Sequence, residues 1–133
     1  MAGGIGSRFW PISKTSHPKQ FLDILGTGKT LIQQTFERFE KICPKENIYI
    51  VTNEAYRALV KEQLPTISDD QILGEPAAKN TATCIAYACH KIKQKNDAAL
   101  IAVAPSDHII LNEQEFVKQI EEALVIAAEN DFL

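Results

Sequence analysis

Glycines near the start of the chain, Gly3, Gly4 and Gly6, are closely followed by Arg8. Because glycine has no side chain, successive backbone N–H groups can approach one anion closely and point at it together. Arg8 would add a planar guanidinium that donates paired hydrogen bonds to the same oxygens. The segment therefore predicts a phosphate-binding loop. The alternative is a flexible terminus whose glycines bind nothing.

Named phosphate-binding motifs do not match this chain. The dinucleotide pattern GxGxxG fails because Phe9 stands where its third glycine belongs. Residues 28–30, Gly-Lys-Thr, copy the end of a Walker A loop, but Asp23 occupies the position of its first glycine. We therefore expect residues 28–30 to form a turn that leads into a capped helix.

Lys19 follows Pro18 and comes two residues before Phe21. The fixed backbone of proline and the packing of an aromatic ring would hold this lysine in one place. A lysine held in this way can act as a point charge for phosphate. The alternative is an exposed lysine that serves only solubility.

Polar residues also surround the end of a predicted strand at residues 71–74. Glu75 ends this strand, and Asn80 and Thr81 open the helix that follows it. Ligands of parallel α/β sheets gather at the carboxyl ends of the strands. A carboxylate accepts hydrogen bonds, and an amide both donates and accepts them, so Glu75 and Asn80 could bind a purine edge. The alternative for Asn80 is simple helix capping.

Asp107 follows the most apolar run of the chain, residues 98–104. A carboxylate at such a strand end is a hard oxygen ligand suited to Mg²⁺. The alternative is a turn residue, since Ser106 and Asp107 both favour turns. We give the neighbouring His108 no catalytic role and expect it to be packed or hydrogen-bonded.

The arrangement of helical and strand patterns predicts how these residues are positioned. A loop over residues 1–30 precedes alternating elements, with helices at 31–42, 54–64, 80–95 and from 113, and strands at 47–52, 71–74 and 98–104. Such alternation predicts an α/β fold, a Rossmann-like, mostly parallel sheet with helices on both faces. Because no strand precedes the glycine loop and none follows the last helix, we expect a fold that is incomplete at both ends.

Composition excludes several classes of protein. The net charge of −3 argues against a nucleic-acid binder. The longest apolar run, residues 98–104, is too short for a membrane helix, and no signal peptide is visible. The three cysteines form no CxxC pair, which predicts reduced thiols and a cytoplasmic protein. We expect Cys84 and Cys89 to be core or near-core residues of the third helix rather than nucleophiles.

The motifs together resemble the sugar-1-phosphate nucleotidyltransferases, and most closely their mannose-1-phosphate guanylyltransferase branch. Residues 2–11, AGGIGSRFWP, resemble the signature loop of that family, and residues 18–21 resemble its PKQF segment. Residues 75–82, EPAAKNTA, and residues 105–108, PSDH, resemble its two later segments. The resemblance is carried by four motifs in the same order. Residues 1–133 would then be the N-terminal, nucleotide-binding part of such a domain, without its sugar-binding part.

The resemblance implies a reaction and a role for each site residue. GTP and mannose 1-phosphate would give GDP-mannose and pyrophosphate by direct in-line attack on the α-phosphorus. Arg8 and Lys19 would be catalytic, and Asp107 would hold Mg²⁺. Nucleotide binding would involve Ala2, Gly3, Gly4, Gly6, Ser7, Arg8, Glu75, Asn80 and Thr81. The family also allows a homo-oligomer.

One departure from the family pattern concerns Lys79, which stands where relatives often carry arginine. Lysine keeps the positive charge but loses the paired hydrogen bonds of a guanidinium. Two alternatives remain open beside the guanylyltransferase hypothesis. The chain could bind GTP without catalysis, or it could belong to a related transferase that uses another nucleotide.

Overall fold

Helices and strands alternate along the part of the chain that the computed structural model describes, residues 1–2, 11–75 and 80–130. They are the strands β1 (Ile50–Asn53) and β2 (Ile72–Glu75) and the helices α1 (Leu31–Phe39), α2 (Arg57–Gln63), α3 (Asn80–Lys93) and α4 (Glu113–Glu129). Short 3-10 helices cover Lys19–Phe21, Lys45–Asn47, Glu54–Tyr56 and Asp69–Gln71. From α1 to α3 the order of elements is the predicted one.

Strands β1 and β2 form a parallel pair, joined through α2, in the register Ile50 to Ile72 and Asn53 to Glu75. Because successive side chains of a strand point to opposite faces, Ile50 and Ile72 enter one core while Val51 and Leu73 enter another. The first core contains residues of α1 and α2, and the second contains residues of α3. The predicted α/β arrangement, with helices on both faces of a parallel sheet, is confirmed.

Residues 28–30 form the predicted turn before α1. Gly26 and Gly28 both have positive φ angles, 66° and 79°, which glycine adopts without strain. The Asp23 carboxylate accepts hydrogen bonds from the Thr27 and Gly28 backbone N–H groups, at 3.0 and 2.7 Å. Thr30 then opens α1 in a capping box with Gln33. This segment is a helix start, as predicted.

Residues 98–104, hereafter segment 98–104, do not form the predicted buried strand. Leu100, Ile101 and Val103 are 48%, 37% and 47% exposed. A strand exists only where a neighbouring backbone pairs with it. Within the described part of the chain, this segment is paired only at its end, where the Met1 amino group donates to the Ala104 carbonyl oxygen at 2.7 Å.

Helix α4 begins after Asn112, whose side chain accepts a hydrogen bond from the Glu115 backbone N–H at 3.1 Å. No described residue of α4 is fully buried. Its predicted inner face is the half-buried one and comprises Phe116, Val117, Ile120, Leu124 and Ala127. Among the described residues, no helix is long and apolar enough to cross a bilayer.

Candidate functional site

Several predicted site residues meet at the carboxyl edge of the parallel sheet. Asn53 and Glu75 end β1 and β2 side by side at this edge. Ala2 joins them because its backbone N–H donates to the Val51 carbonyl oxygen at 2.7 Å. Asp107 arrives from the end of segment 98–104. This is the edge where ligands of parallel α/β sheets bind.

Ala2 is only 2% exposed, and its carbonyl oxygen accepts two side-chain hydrogen bonds. The Gln20 side-chain amide donates at 2.7 Å, and the Thr52 hydroxyl donates at 3.0 Å. The predicted glycine loop therefore starts from a fixed point. The other predicted residues of that loop, Gly3, Gly4, Gly6, Ser7 and Arg8, lie outside the described residues.

Lys19 and Asp107 form a direct ion pair, although 88 positions separate them in the chain. Their side chains are 25% and 22% exposed, so both charges remain accessible to a small ligand. The fold therefore joins two residues that the sequence suggested separately, one for phosphate and one for a metal ion.

Lys19 is held in place by its neighbours, as predicted. Pro18 is fully buried and has a φ angle of −62°, and residues Lys19–Phe21 form a 3-10 helix. The Phe21 ring packs against the Tyr56 ring with centroids 6.0 Å apart. The Tyr56 hydroxyl in turn donates to the Thr15 carbonyl oxygen at 3.0 Å. The ammonium group is thus carried by a rigid frame.

Asp107 is positioned by the residue before it. Ser106 is 4% exposed, and both its hydroxyl and its backbone N–H donate to the Met1 carbonyl oxygen, at 2.7 and 3.0 Å. The His108 side chain is 68% exposed and its Nε2 atom lies 3.9 Å from an Asp107 carboxylate oxygen, so of the two expected environments, packed or hydrogen-bonded, it is not the packed one. Serine at this position was interpreted as a turn residue, and its anchoring role was not predicted.

The donor set suits one hard cation ligated mainly by its own substrate. In the described ranges, no group of three or more His, Cys, Asp or Glu residues could hold a metal ion. Asp107 alone supplies one carboxylate to a cation. Mg²⁺ commonly binds through one or two carboxylates together with substrate phosphates and water. The single carboxylate therefore fits Mg²⁺ bound with a nucleotide better than a protein-only metal site.

Glu75 and the start of α3 form the second part of the candidate site. The pKa of the Cys84 thiol is raised by burial and by the adjacent Glu75 carboxylate, with which it hydrogen-bonds. Met1 packs against the core cluster that contains Cys84, and burial lowers the pKa of its amino group. Thr81 is exposed on the first turn of α3, and the side chain of Asn80 lies outside the described residues.

Two further side chains of the site, those of Cys84 and Gln20, are buried. Cys84 is 5% exposed, which confirms that it packs in the core, whereas Cys89 is half-buried. Gln20 is 2% exposed and was not predicted as a site residue. In the sequence, Gln20 is a polar residue between Lys19 and Phe21. No hydrophobic periodicity in this segment indicates that its side chain is buried.

Comparison with known proteins gives consistent matches. The family model described as Nucleotidyl transferase matches residues 1–129. A mannose-1-phosphate guanylyltransferase of Salmonella montevideo is 42% identical over 92% of this chain and 26% of its own length. A mannose-1-phosphate guanylyltransferase of Salmonella muenchen is 38% identical over 97% of this chain and 28% of its own length. A putative mannose-1-phosphate guanylyltransferase of Vibrio cholerae serotype O1 is 37% identical over 92% and 27%. The chain spans about a quarter of the length of these relatives.

Proposed function

The chain belongs to the nucleotidyl transferase family, and we propose that it is the N-terminal, nucleotide-binding part of a mannose-1-phosphate guanylyltransferase. In the longer protein, the reaction transfers GMP from GTP to mannose 1-phosphate and releases pyrophosphate. The names of the relatives support this choice of nucleotide and sugar. The α/β fold, with its site at the carboxyl edge of the sheet, supports a nucleotide as the ligand.

The observation that carries the proposal is the ion pair between Lys19 and Asp107 beside Ala2. In-line phosphoryl transfer needs positioned charges more than it needs a nucleophile from the protein. Nucleotide phosphates would compete with Asp107 for the Lys19 ammonium group, and a divalent cation would compete with Lys19 for the Asp107 carboxylate. Binding of the two together would keep the local charge balanced.

The proposed roles follow the position of each residue. The triphosphate would be held by backbone N–H groups of the loop and by Arg8, with the loop residues being Gly3, Gly4, Gly6 and Ser7. Lys19 would neutralise charge at the reacting phosphates. Asp107 would hold Mg²⁺, which when bound supplies charge neutralisation and orients the phosphates.

The guanine is assigned to the second half of the edge. Glu75 ends β2 and would accept hydrogen bonds from the base, while Asn80 and Thr81 open α3 beside it. The sheet edge then separates base recognition, around Glu75, from phosphate chemistry, around Lys19 and Asp107. The second substrate, mannose 1-phosphate, would be bound mainly by parts of the longer protein.

The cellular location and the oligomeric state are proposed from the cysteines and from the family resemblance. The three cysteines, Cys43, Cys84 and Cys89, are all free thiols, and we place the protein in the cytoplasm on this basis. The resemblance to the family also leads us to propose a homo-oligomer.

A second candidate function is nucleotide binding without turnover by this chain alone. It is favoured by the fact that the chain spans about a quarter of the length of its relatives. Calorimetry of the 133-residue chain with GTP and Mg²⁺ tests it. Heat of binding without product formation would support this candidate, and the absence of both heat and a thermal shift would exclude it.

The test of the proposed activity uses the full-length protein. We expect Lys19→Ala and Asp107→Asn each to reduce the rate of GDP-mannose formation roughly tenfold or more. The first removes the positive charge beside the reacting phosphates, and the second removes the carboxylate that would hold the cation. Arg8→Ala should have a similar effect. Lys29→Ala is the matched control, since Lys29 lies in the turn before α1 and pairs with Glu37 of that helix. Unchanged rates in all the site variants, or a preference for UTP over GTP in competition, would contradict the proposal.

A further inference from the structure

A cavity of about 360 Å³ lies along β2 and is hereafter called the β2-edge cavity. Residues 72–74 of the strand line it, together with two groups of polar side chains. One group belongs to α3 and the residues just after it, and the other to the start of α2 and the 3-10 helix Asp69–Gln71. Because β1 lies between β2 and Ala2, the cavity is separate from the phosphate side of the candidate site.

The side of the cavity formed by α3 is basic and aromatic. Lys91 and Lys95 are four positions apart and both line the cavity. The Lys91 ammonium group lies 6.0 Å from the centroid of the Tyr87 ring, and that of Lys95 lies 5.3 Å from the centroid of the Tyr49 ring. Both rings pack against the second core, which holds them in place. The two lysines are therefore positioned by fixed rings at the mouth of the cavity.

Neither lysine has a counter-charge of its own. Within the described part of the chain, Lys91 and Lys95 form no ion pair, whereas Lys93 between them pairs with Asp97 at 3.2 Å. Like charges four residues apart on a helix repel each other. An anion bound between Lys91 and Lys95 would remove this repulsion and accept charge-assisted hydrogen bonds from both.

The side of the cavity formed by α2 and the 3-10 helix presents carboxylates. Asp69 is tied to α2, because its carboxylate pairs with Lys61 at 3.3 Å and its carbonyl oxygen accepts from Arg57 at 3.2 Å. Asp70 is exposed beside it and forms no ion pair with any described residue. Carboxylates accept hydrogen bonds from hydroxyl groups, and the Gln94 amide in the same cavity can both accept and donate them.

This combination selects one class of ligand. The two lysines attract a single phosphate, while the carboxylates on the other side repel a second anion and bind hydroxyl groups instead. The tyrosine rings offer flat apolar surface to the C–H groups of a sugar. The volume lies at the small end of the range of about 300–1,000 Å³ that is usual for small-molecule sites. A phosphorylated monosaccharide satisfies all these conditions, and a nucleic acid or a bisphosphate does not.

We propose that the β2-edge cavity binds a hexose monophosphate. The phosphate lies between Lys91 and Lys95, and the sugar hydroxyls reach Asp70 and Gln94. This inference does not depend on the proposed function, because the cavity uses none of the residues assigned there to nucleotide or metal binding.

The first test is a titration of the 133-residue chain with mannose 6-phosphate, followed by the amide signals in NMR spectra. We expect saturable shifts at residues 69–74 and 91–95. Inorganic phosphate should shift residues 91–95 alone and should bind roughly tenfold more weakly, because it lacks the hydroxyl groups that reach the carboxylates. If the lysines serve only to complement the dipole of α3, neither compound will bind, and the proposal is overturned. Equal affinity for the two compounds also overturns it.

Charge removal on α3 tests the phosphate position. The double variant Lys91→Gln with Lys95→Gln should bind mannose 6-phosphate roughly tenfold or more weakly, because both charged donors are lost. Glutamine is about as good a helix former as lysine, so α3 is retained. Lys93→Gln is the matched control, since Lys93 pairs with Asp97 and does not line the cavity, and it should leave the affinity unchanged. Equal losses in the double variant and in Lys93→Gln would contradict the proposed phosphate position.

Asp70→Asn separates a sugar phosphate site from a simple anion site. It should weaken mannose 6-phosphate roughly threefold or more, because a charged acceptor for hydroxyl groups is lost. The same variant should bind inorganic phosphate equally well or more tightly, because a repelling charge is removed. Tighter binding of both compounds would show that Asp70 only repels anions, which would overturn the assignment to a sugar.

Competition with a nucleotide locates the binding site independently. Excess GTP with Mg²⁺ should leave the titration with mannose 6-phosphate unchanged, because the candidate nucleotide site lies on the other side of β1. Displacement of mannose 6-phosphate by GTP would place it at that site and would overturn the inference.

Discussion

Ile72 and Ile101 show how differently two parts of this molecule use the same kind of sequence. Both lie in apolar runs that end near a polar residue of the candidate site, Glu75 in one case and Asp107 in the other. Ile72 is 1% exposed, while Ile101 is 37% exposed. The difference lies in their neighbours. Strand β2 pairs with β1 over its whole length, whereas among the described residues segment 98–104 is paired only at its end.

This difference teaches that an apolar run supplies the capacity for burial, whereas lateral pairing decides whether the burial occurs. The first region, residues 18–75, closes its core with residues from within itself, such as Val60, Leu64 and Ile67. The second region comprises segment 98–104 and α4. Its residues Leu100 and Val103 are about half exposed, and no backbone among the described residues pairs with them.

The largest expected effect comes from removing the same side chain in both regions. Ile72→Ala should lower the free energy of unfolding by about 3 to 4 kcal/mol, because it leaves a cavity in a closed core. Ile101→Ala should lower it by less than about 0.5 kcal/mol, because the side chain is already partly in solvent. Urea unfolding followed by circular dichroism measures both values. Similar losses for Ile72→Ala and Ile101→Ala would show that the two regions are equally packed, and would contradict the comparison.

The backbone of Met1 and Ala2 is held by hydrogen bonds from both regions, and the bonds from the first region should be the stronger ones. Gln20→Met and Thr52→Val should each cost about 1 kcal/mol, because the Ala2 carbonyl keeps one of its two side-chain donors in each variant. The double variant should cost about 3 kcal/mol, which is more than the sum of the two single costs, because the buried Ala2 carbonyl then loses both side-chain donors. A double-mutant cycle in urea measures this coupling.

Ser106→Ala is the corresponding change on the side of segment 98–104. It should cost less than about 1 kcal/mol, because the Ser106 backbone N–H still donates to the Met1 carbonyl oxygen at 3.0 Å. Strict additivity of Gln20→Met and Thr52→Val, or a larger loss in Ser106→Ala than in the double variant, would show that the anchoring is not concentrated in the first region.

Much of the fold follows from local signals in the sequence. The capping box of Thr30 and Gln33 marks the start of α1, and Asp23 with Gly28 produces the turn before it. These features depend on residues within a few positions of one another. The strand predicted at residues 98–104 depends on a backbone neighbour, which no local pattern can supply.

The candidate site divides in the same way. Lys19 and Asp107 were identified by residue type, but their ion pair arises only when the fold brings two distant segments together. The roles of Gln20 and Ser106 are not predictable from residue type, because these side chains donate hydrogen bonds to the backbone carbonyl oxygens of Ala2 and Met1. The roles of the glycine loop, Arg8 and Asn80 remain predictions.

The smallest expected effect concerns the ion pairs that join Glu113 of α4 to Arg38 of α1 and to Lys41 just after that helix. Glu113 accepts from Lys41 at 2.7 Å and from Arg38 at 3.2 Å, and the Arg38 side chain is 4% exposed. The Arg38 guanidinium also lies 5.6 Å from the centroid of the Phe116 ring. The hydrogen bond from Lys41, together with the charges of Lys41 and Arg38, holds the pKa of Glu113 below its usual value.

The sign of the pH dependence follows from this direction. Because the pKa of Glu113 is lower in the folded than in the unfolded state, its contribution to stability is complete above about pH 4.3 and is lost as the pH falls through the folded-state pKa. Glu113→Gln should therefore cost about 1 kcal/mol at pH 7, a modest value because the carboxylate is partly exposed. The cost should be smaller at pH 3 than at pH 7.

Glu122→Gln is the matched control on the same helix, since Glu122 pairs with Lys118 at 3.8 Å and both side chains are more than half exposed. It should change the free energy of unfolding by less than about 0.3 kcal/mol at either pH. Urea titrations at pH 7 and pH 3 measure all the values. A cost for Glu113→Gln that is equal at both pH values would mean that α4 is held to α1 by Phe116 packing alone. The second region would then be held to the first by apolar contact, which is also what holds the core of the first region together. The two regions would differ only in how much apolar surface each buries.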